Sequence, residues 1–178
     1  TALAPGNPDV LLLQAASEQR AGDLQSAMKL AEKAFAIAPS TATVVAVASY
    51  QEAAGDQAAA LEHYRAWLEK SPADIAARMA LANSLQVAGR LDEAGQQYAT
   101  VLHADPANVI ALNNQAWILR EKNSAQALEY ARKAAELAPD SADVLDTLAM
   151  VEYAGRDYAR AQRSIERALK KSPEHPSM

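Results

Sequence analysis

Proline recurs at a nearly constant interval along the 178 residues of this chain. The steps between successive members of one set are 34, 33, 34, 33 and 34 residues: Pro5, Pro39, Pro72, Pro106, Pro139 and Pro173. Because proline cannot continue a helix, each of them is expected to end a helical segment. A residue able to cap the next helix follows each of the first five: Asn7, Thr41, Asp74, Asn108 and Ser141. The chain is therefore predicted to consist of repeats of about 34 residues.

Residues 75–106 show what one repeat contains. Apolar or small residues recur there at helical spacing as far as Ala88, and Gly89 then interrupts the pattern. A second helical face follows the glycine and ends at Pro106. The repeat is therefore predicted to be a hairpin of two amphipathic helices. Since neither helix can bury its apolar stripe alone, the hairpin needs neighbours of its own kind.

Small residues and turns recur with the same period. The first helix of each repeat has an alanine at a matching position: Ala15, Ala48, Ala82, Ala116 and Ala149. The second helix has one as well: Ala27, Ala60, Ala94, Ala127 and Ala161. The predicted turns lie at Gly22, Gly55, Gly89, Lys122–Ser124 and Gly155. Small side chains at both positions allow the two helices of a pair to approach closely.

Composition excludes several classes of protein. Half of the residues are hydrophobic, but only 5% are aromatic, which favours close-packed helices over a β-sandwich or barrel. The net charge of −5 argues against nucleic-acid binding through a basic surface. No apolar run reaches the roughly 18 residues of a membrane span. The absence of cysteine excludes disulfides and thiolate zinc sites, without separating cytoplasm from periplasm.

The repeats resemble tetratricopeptide repeats (TPRs) in their period, small-residue positions, turns and prolines, over nearly the whole chain. The resemblance implies an all-α fold, a right-handed α-α superhelical solenoid of five TPR helix hairpins. The chain departs from the TPR pattern at four positions: Gln14, Trp67, Val101 and Gln115. These departures are expected to perturb packing without changing the topology.

The predicted organisation follows from the repeat period. The five repeats are assigned to residues 7–40, 41–73, 74–107, 108–140 and 141–174. Residues 1–6 are interpreted as the tail of a preceding repeat, and residues 175–178 as the start of a following one. Dedicated polar caps, which normally close a solenoid, are not evident at either end. We therefore expect the chain to be a piece of a longer array.

The sequence indicates no catalytic, metal or cofactor site. His63, His103 and His175 lie in different repeats without the spacing of metal ligands, and we interpret them as exposed surface residues. Asp143 and Asp146 follow Ser141 in the first turn of a helix, where acidic groups favour the positive end of the helix dipole. No nucleotide-binding loop or nucleophile motif is present. The chain is predicted not to be an enzyme.

The TPR resemblance implies that the first helices line a concave groove, which binds a protein or peptide partner. Carrying the inward-facing positions over residue by residue gives the predicted partner-binding residues: Leu12, Gln19, Arg20, Met79, Asn83, Gln86, Asn113, Asn114, Trp117, Arg120, Asp146, Met150 and Tyr153.

Three of these residues are the strongest anchor candidates, because aromatic and flexible apolar groups carry much of the binding energy at interfaces: Trp117, Met150 and Tyr153. Arg120 could pair with a partner's carboxylate. The alternative is that Trp117 and Met150 fill space between adjacent first helices. The Asn113–Asn114 pair likewise either binds a peptide backbone or satisfies groups on neighbouring helices.

Three segments, 111–119, 127–134 and 137–148, resemble TPR proteins of the bacterial envelope, and most closely the TPR-repeat lipoprotein of the PEP-CTERM (exosortase) exopolysaccharide system. This resemblance implies a protein–protein scaffold in exopolysaccharide assembly or secretion, periplasmic and associated with the outer membrane through an anchor outside this sequence; a cytoplasmic location stays open. One alternative is direct polysaccharide binding, with Trp117 and Tyr153 stacking on sugar rings. The other is self-association through uncapped ends.

Overall fold

A computed structural model gives the placement of residues 6–171, and throughout that range the regular structure is α-helical. The helices are α1 (Pro8–Ala21), α2 (Leu24–Ile37), α3 (Thr41–Ala53), α4 (Gln57–Lys70), α5 (Ile75–Val87), α6 (Leu91–Ala104), α7 (Val109–Leu119), α8 (Ser124–Leu137), α9 (Ala142–Ala154) and α10 (Tyr158–Lys171). Residues 6–171 contain no strand, so the predicted all-α class is confirmed.

The two predicted pieces of flanking repeats fall at the ends of the chain. Apart from Gly6, both pieces lie outside the described residues. His175 belongs to the second piece and is therefore not described either. The boundaries assigned to the five repeats stay a prediction.

Four of the five predicted capping residues accept a hydrogen bond from a backbone N–H in the first turn of their helix. The nitrogen-to-oxygen distances lie between 2.8 and 3.4 Å at Asn7, Asp74, Asn108 and Ser141. Each bond satisfies one of the backbone donors that a helix start leaves without a partner. The first helices α1, α5, α7 and α9 therefore begin where the sequence predicts.

The capping prediction for Thr41 is wrong. Ser40 caps α3 instead, because Ser40 and Thr43 form a reciprocal capping box. The Ser40 Oγ accepts from the Thr43 N–H at 3.3 Å, and the Thr43 Oγ1 accepts from the Ser40 N–H at 2.9 Å. Thr41 becomes the first residue of α3, and its hydroxyl donates to the Asp74 carboxylate at 2.6 Å.

The described helices divide into two compact units. Unit 1 (Thr1–Arg90) holds α1–α5, and unit 2 (Leu91–Met178) holds α6–α10. A hydrophobic cluster in unit 1 joins α1, α2 and α3 through Ala15, Ala27, Ala31, Val47 and Tyr50. A larger cluster in unit 2 joins α7 to α10 through residues that include Leu112, Ala116, Ala127, Ala131, Val144, Leu145, Leu148, Val151 and Ala168.

Asp74 links three helices of unit 1. Besides the Thr41 hydroxyl, its carboxylate accepts the Trp67 indole N–H at 2.8 Å and the Ala77 N–H at 3.0 Å. Burial favours a higher pKa for Asp74, but these hydrogen bonds outweigh it and hold the pKa below its ordinary value of 3.8. Trp67, a departure from the TPR pattern, thus has a specific polar contact.

All ten predicted small positions are buried. The five alanines of the first helices are 0 to 1% exposed, and the five of the second helices are 0 to 6% exposed. An alanine fills such a position with a single methyl group, so the neighbouring backbone can come close. Protein interiors are packed densely enough that a larger side chain there must displace its surroundings.

Three of the turns use a glycine in the left-handed conformation. Gly22, Gly55 and Gly89 have φ angles of 88°, 84° and 73°, which a side chain disfavours. The fifth turn differs, because Gly155 has a φ of −75° and Arg156 takes the left-handed conformation with a φ of 63°. The glycine thus separates the helices there without occupying the left-handed position.

The prediction of an exposed surface histidine is wrong for His63, whereas His103 is exposed. The His63 ring on α4 meets the Phe35 ring on α2 edge to face, with 4.8 Å between ring centroids. Its Nε2 is buried without a hydrogen-bond partner among the described residues. Burial lowers the pKa of His63 from its ordinary value of 6.5, against the opposing charge of Glu32.

Enlarging a buried alanine should destabilise unit 2. We expect Ala116→Leu and Ala127→Leu to lower the free energy of unfolding by about 1–3 kcal/mol each, because added methyl groups overpack a filled core. Urea denaturation followed by circular dichroism measures the change. Ala159→Leu on the exposed side of α10 is the matched control and should stay within about 0.5 kcal/mol of the parent. Parent-like midpoints for both core variants would contradict the packing described.

His63 should make stability depend on pH. Because its pKa is lower in the folded state than in the unfolded state, the unfolded chain binds more protons below pH 6.5. The free energy of unfolding should therefore fall as the pH drops from 6.5 to the folded-state pKa, and this contribution should then level off.

Urea midpoints at about pH 7.5 and about pH 5.5 measure this contribution. The loss of stability between the two pH values should be smaller in His63→Phe than in the parent. The His103→Phe control should lose as much as the parent, because His103 is exposed. Equal losses in all three proteins would remove His63 as the cause.

Candidate functional site

A cleft of about 900 Å³ in unit 2 brings together four of the predicted groove residues. They are Arg120, which follows α7, and Asp146, Met150 and Tyr153 of α9. The three residues of α9 are spaced by four and three positions, so they share one face of that helix. The remaining lining residues are Glu121, Ala149, Ala154, Tyr158, Ala161, Gln162 and Ile165.

Two tyrosines form an exposed aromatic pair in this cleft. The rings of Tyr153 and Tyr158 lie 5.2 Å apart between centroids at an interplanar angle of 62°, an edge-to-face contact. Tyr153 is 66% exposed, Tyr158 is 57% exposed and Met150 is 38% exposed. Large apolar groups concentrated on a surface are typical of binding sites.

Arg120 is held in place by Trp117. The guanidinium carbon lies 4.1 Å from the centroid of the indole, and one guanidinium nitrogen donates to the Trp117 carbonyl oxygen at 2.6 Å. The other terminal nitrogen lies 3.4 Å from the carboxylate of Glu121, which is largely exposed. The guanidinium group of Arg120 is therefore held in a fixed position by its contact with the Trp117 ring.

The two asparagines of α7 face different surroundings. The Asn114 side-chain amide donates to the Tyr98 hydroxyl on α6 at 2.9 Å, so it satisfies a group on a neighbouring helix. Burial raises the pKa of Tyr98 to about 12, and the hydrogen bond from Asn114 acts in the opposite direction. The Asn113 Oδ1 is buried without a partner among the described residues.

The other six predicted groove residues lie on α1 and α5 of unit 1. On α1, Leu12 packs partly against the core, Gln19 is exposed, and the exposed Arg20 donates through Nε to the Ala16 carbonyl at 3.3 Å. On α5, Asn83 is exposed, and the two remaining residues are half-buried: Met79 and Gln86.

The sequence analysis missed the contribution of α10 to the cleft. Tyr158, Gln162 and Ile165 line one wall of it, but only first helices were assigned to the groove. Tyr158 is the first residue of α10 and directly follows the turn. An aromatic residue directly after a turn, three positions before Ala161 on the same side of α10, was the available signal.

Two further kinds of feature, a metal site and a membrane span, are absent from residues 6–171. No three or more His, Asp or Glu side chains converge there closely enough to hold a metal ion. None of the helices described combines the length and the hydropathy that a bilayer span requires.

Several solved structures resemble this chain. A tetratricopeptide repeat protein from Parabacteroides merdae has a TM-score of 0.79 at 20% identity, over 94% of this chain and 67% of that chain. MamA from Desulfovibrio magneticus RS-1 has a TM-score of 0.78 at 14% identity, over 98% and 99%. YrrB, described as a TPR protein with an unusual peptide-binding site, has a TM-score of 0.72 at 13% identity, over 97% and 90%.

These likenesses concern the fold, and they confirm the predicted fold class, an all-α superhelical repeat fold. No curated protein matches the chain at a significant level. A family model described as "Tetratricopeptide repeat" matches residues 79–142 and 147–178, which together make up more than half of the sequence. The chain belongs to the tetratricopeptide repeat family.

Proposed function

We propose that this protein is a non-enzymatic interaction scaffold, which binds a segment of a protein partner and anchors it in the cleft of α9 and α10. The observation that carries the proposal is the exposed aromatic pair Tyr153–Tyr158 beside Met150. Aromatic groups bury a large area at little cost in side-chain entropy, which is why a few of them dominate many interfaces. YrrB, which shares the fold, is described as having a peptide-binding site.

The charges of the cleft suit a partner segment with an apolar residue next to an acidic one. The apolar side chain would insert between Tyr153 and Ile165, and Arg120 would pair with the carboxylate. Because Trp117 already holds Arg120, little entropy is lost when that pair forms. Asp146 and Glu121 would disfavour a second acidic residue close by.

The cellular setting belongs to the same proposal. We place the scaffold in bacterial exopolysaccharide assembly or secretion, in the periplasm and associated with the outer membrane through an anchor outside this sequence. The support is the resemblance of segments 111–119, 127–134 and 137–148 to envelope TPR proteins of the PEP-CTERM type. We also propose partner contacts at the residues predicted on α1 and α5, within unit 1.

Direct polysaccharide binding is the second candidate, since tyrosines also stack on sugar rings. The geometry favours it less, because Arg120 covers one face of Trp117 and the Tyr153 and Tyr158 rings are not coplanar. Self-association is the third candidate, and light scattering as a function of protein concentration tests it.

The cleft is tested with peptides selected for binding to the parent protein from a displayed random library. We expect the double variant Tyr153→Ala/Tyr158→Ala to bind these peptides at least about tenfold more weakly, which corresponds to about 1.4 kcal/mol. The matched control, Tyr130→Ala on α8, should bind within about twofold of the parent, because Tyr130 lies outside the cleft.

Calorimetry gives the dissociation constants, and circular dichroism checks that the variants stay folded. Selected peptides that bind the double variant as tightly as the parent would contradict the proposed anchor site. The second candidate would be favoured by a different result: no peptide is selected, and an exopolysaccharide oligosaccharide binds the parent saturably but does not bind the double variant.

A further inference from the structure

A second cleft in unit 2 concentrates positive charge on a chain whose net charge is −5. Its volume is about 620 Å³, and four arginines line it: Arg132 of α8 and Arg160, Arg163 and Arg167 of α10. The other lining residues are Leu148, Glu152 and Ser164. We call this site the arginine cleft.

The cleft of α9 and α10 that holds Tyr153 and Tyr158 is called the tyrosine cleft. The arginine cleft shares no lining residue with it. Successive residues of an α-helix are rotated by about 100°, which places Leu148 and Glu152 on the opposite side of α9 from Met150 and Tyr153. The two clefts therefore open on different faces of α9, so a ligand in one does not occupy the other.

Burial separates the floor of the arginine cleft from its rim. Leu148, Glu152 and Ser164 are 5 to 6% exposed, and the Ser164 hydroxyl donates to the Glu152 carboxylate at 2.8 Å. The four arginines are exposed and stand at the rim. Against four guanidinium groups, Glu152 supplies the single negative charge among the lining residues, so the cleft has a net charge of +3.

Within residues 6–171, most of this positive charge has no ion-pair partner. Arg160 pairs with Asp157 at 3.3 Å. Among residues 6–171, no carboxylate lies within ion-pair distance of the remaining three arginines: Arg132, Arg163 and Arg167. Like charges held close together repel one another, and a bound anion would relieve that repulsion.

The spacing of the arginines indicates an elongated anion. Arg160 and Arg167 are seven residues apart on α10, which corresponds to about 10 Å along the helix axis. A single phosphate ion cannot reach both ends of such a row, whereas about three residues of an extended peptide can. Guanidinium groups bind carboxylates through two parallel hydrogen bonds, which favours regularly spaced Asp or Glu side chains.

We propose that the arginine cleft binds an extended acidic segment of a protein partner, at a second site separate from the tyrosine cleft. A peptide suits this site better than an anionic membrane surface, because the charges surround a recess with a buried floor and come from two helices. Arg160, Arg163 and Arg167 also form a basic row along α10, as on a membrane-binding helix, but Arg132 adds positive charge from α8 on the recess.

The proposal is tested with a fluorescein-labelled peptide of alternating Glu and Gly, and with the matching Gln–Gly peptide as probe control. We expect the parent to bind only the Glu peptide, with an affinity that falls as salt is added. Arg163→Gln/Arg167→Gln should weaken that binding at least about tenfold. Lys29→Gln/Lys33→Gln on α2 removes the same charge from unit 1 and should have less than about a twofold effect.

Three outcomes would overturn the proposal: equal binding of the Glu and Gln peptides, equal affinity of the two double variants, or competition by inorganic phosphate as effective as that by the Glu peptide. A different result would assign the cleft to membranes instead. In that case the parent would bind phosphatidylserine vesicles but not the Glu peptide, and Arg163→Gln/Arg167→Gln would not bind the vesicles. Tyr153→Ala/Tyr158→Ala should bind the Glu peptide like the parent, so a failure of the tyrosine cleft can be told apart from a failure of this site.

Discussion

The close approach of paired helices at alanine positions is the constraint on which the rest of the structure depends. A methyl group such as that of Ala116 or Ala127 fills its site, and both residues are fully buried. Helix pairs held this closely place the residues beside them at fixed distances from the next helix. The tyrosine cleft between α9 and α10 exists because Ala149 and Ala161 form its inner wall, while longer side chains form its edges.

Features encoded locally could be predicted from the sequence. The prolines and the turns between them predicted two helices per repeat, and a polar residue after each proline predicted where four of the five first helices start. Both depend on a few consecutive residues. The error at Thr41 arose within the same local pattern, because Ser40 with Thr43 satisfies two backbone donors at once.

Features that depend on contacts between helices could not be predicted in this way. His63 is half-buried because Phe35, on another helix, packs against its ring, and nothing in the residues around His63 indicates that contact. Asn114 meets Tyr98 for the same reason. The cleft residues Arg120, Met150 and Tyr153 were predicted as groove residues through the family resemblance, whereas Tyr158 was missed because only first helices were assigned to the groove.

Asp74 has a consequence for how unit 1 opens. Its carboxylate caps the start of α5 and accepts hydrogen bonds from α3 and α4, through the Thr41 hydroxyl and the Trp67 indole. A local fluctuation that releases the start of α5 would break all of these bonds together, leaving half-buried polar groups on α3 and α4 without these partners. We therefore expect α3, α4 and α5 to open as one cooperative segment, although repeat proteins can in principle unravel one hairpin at a time.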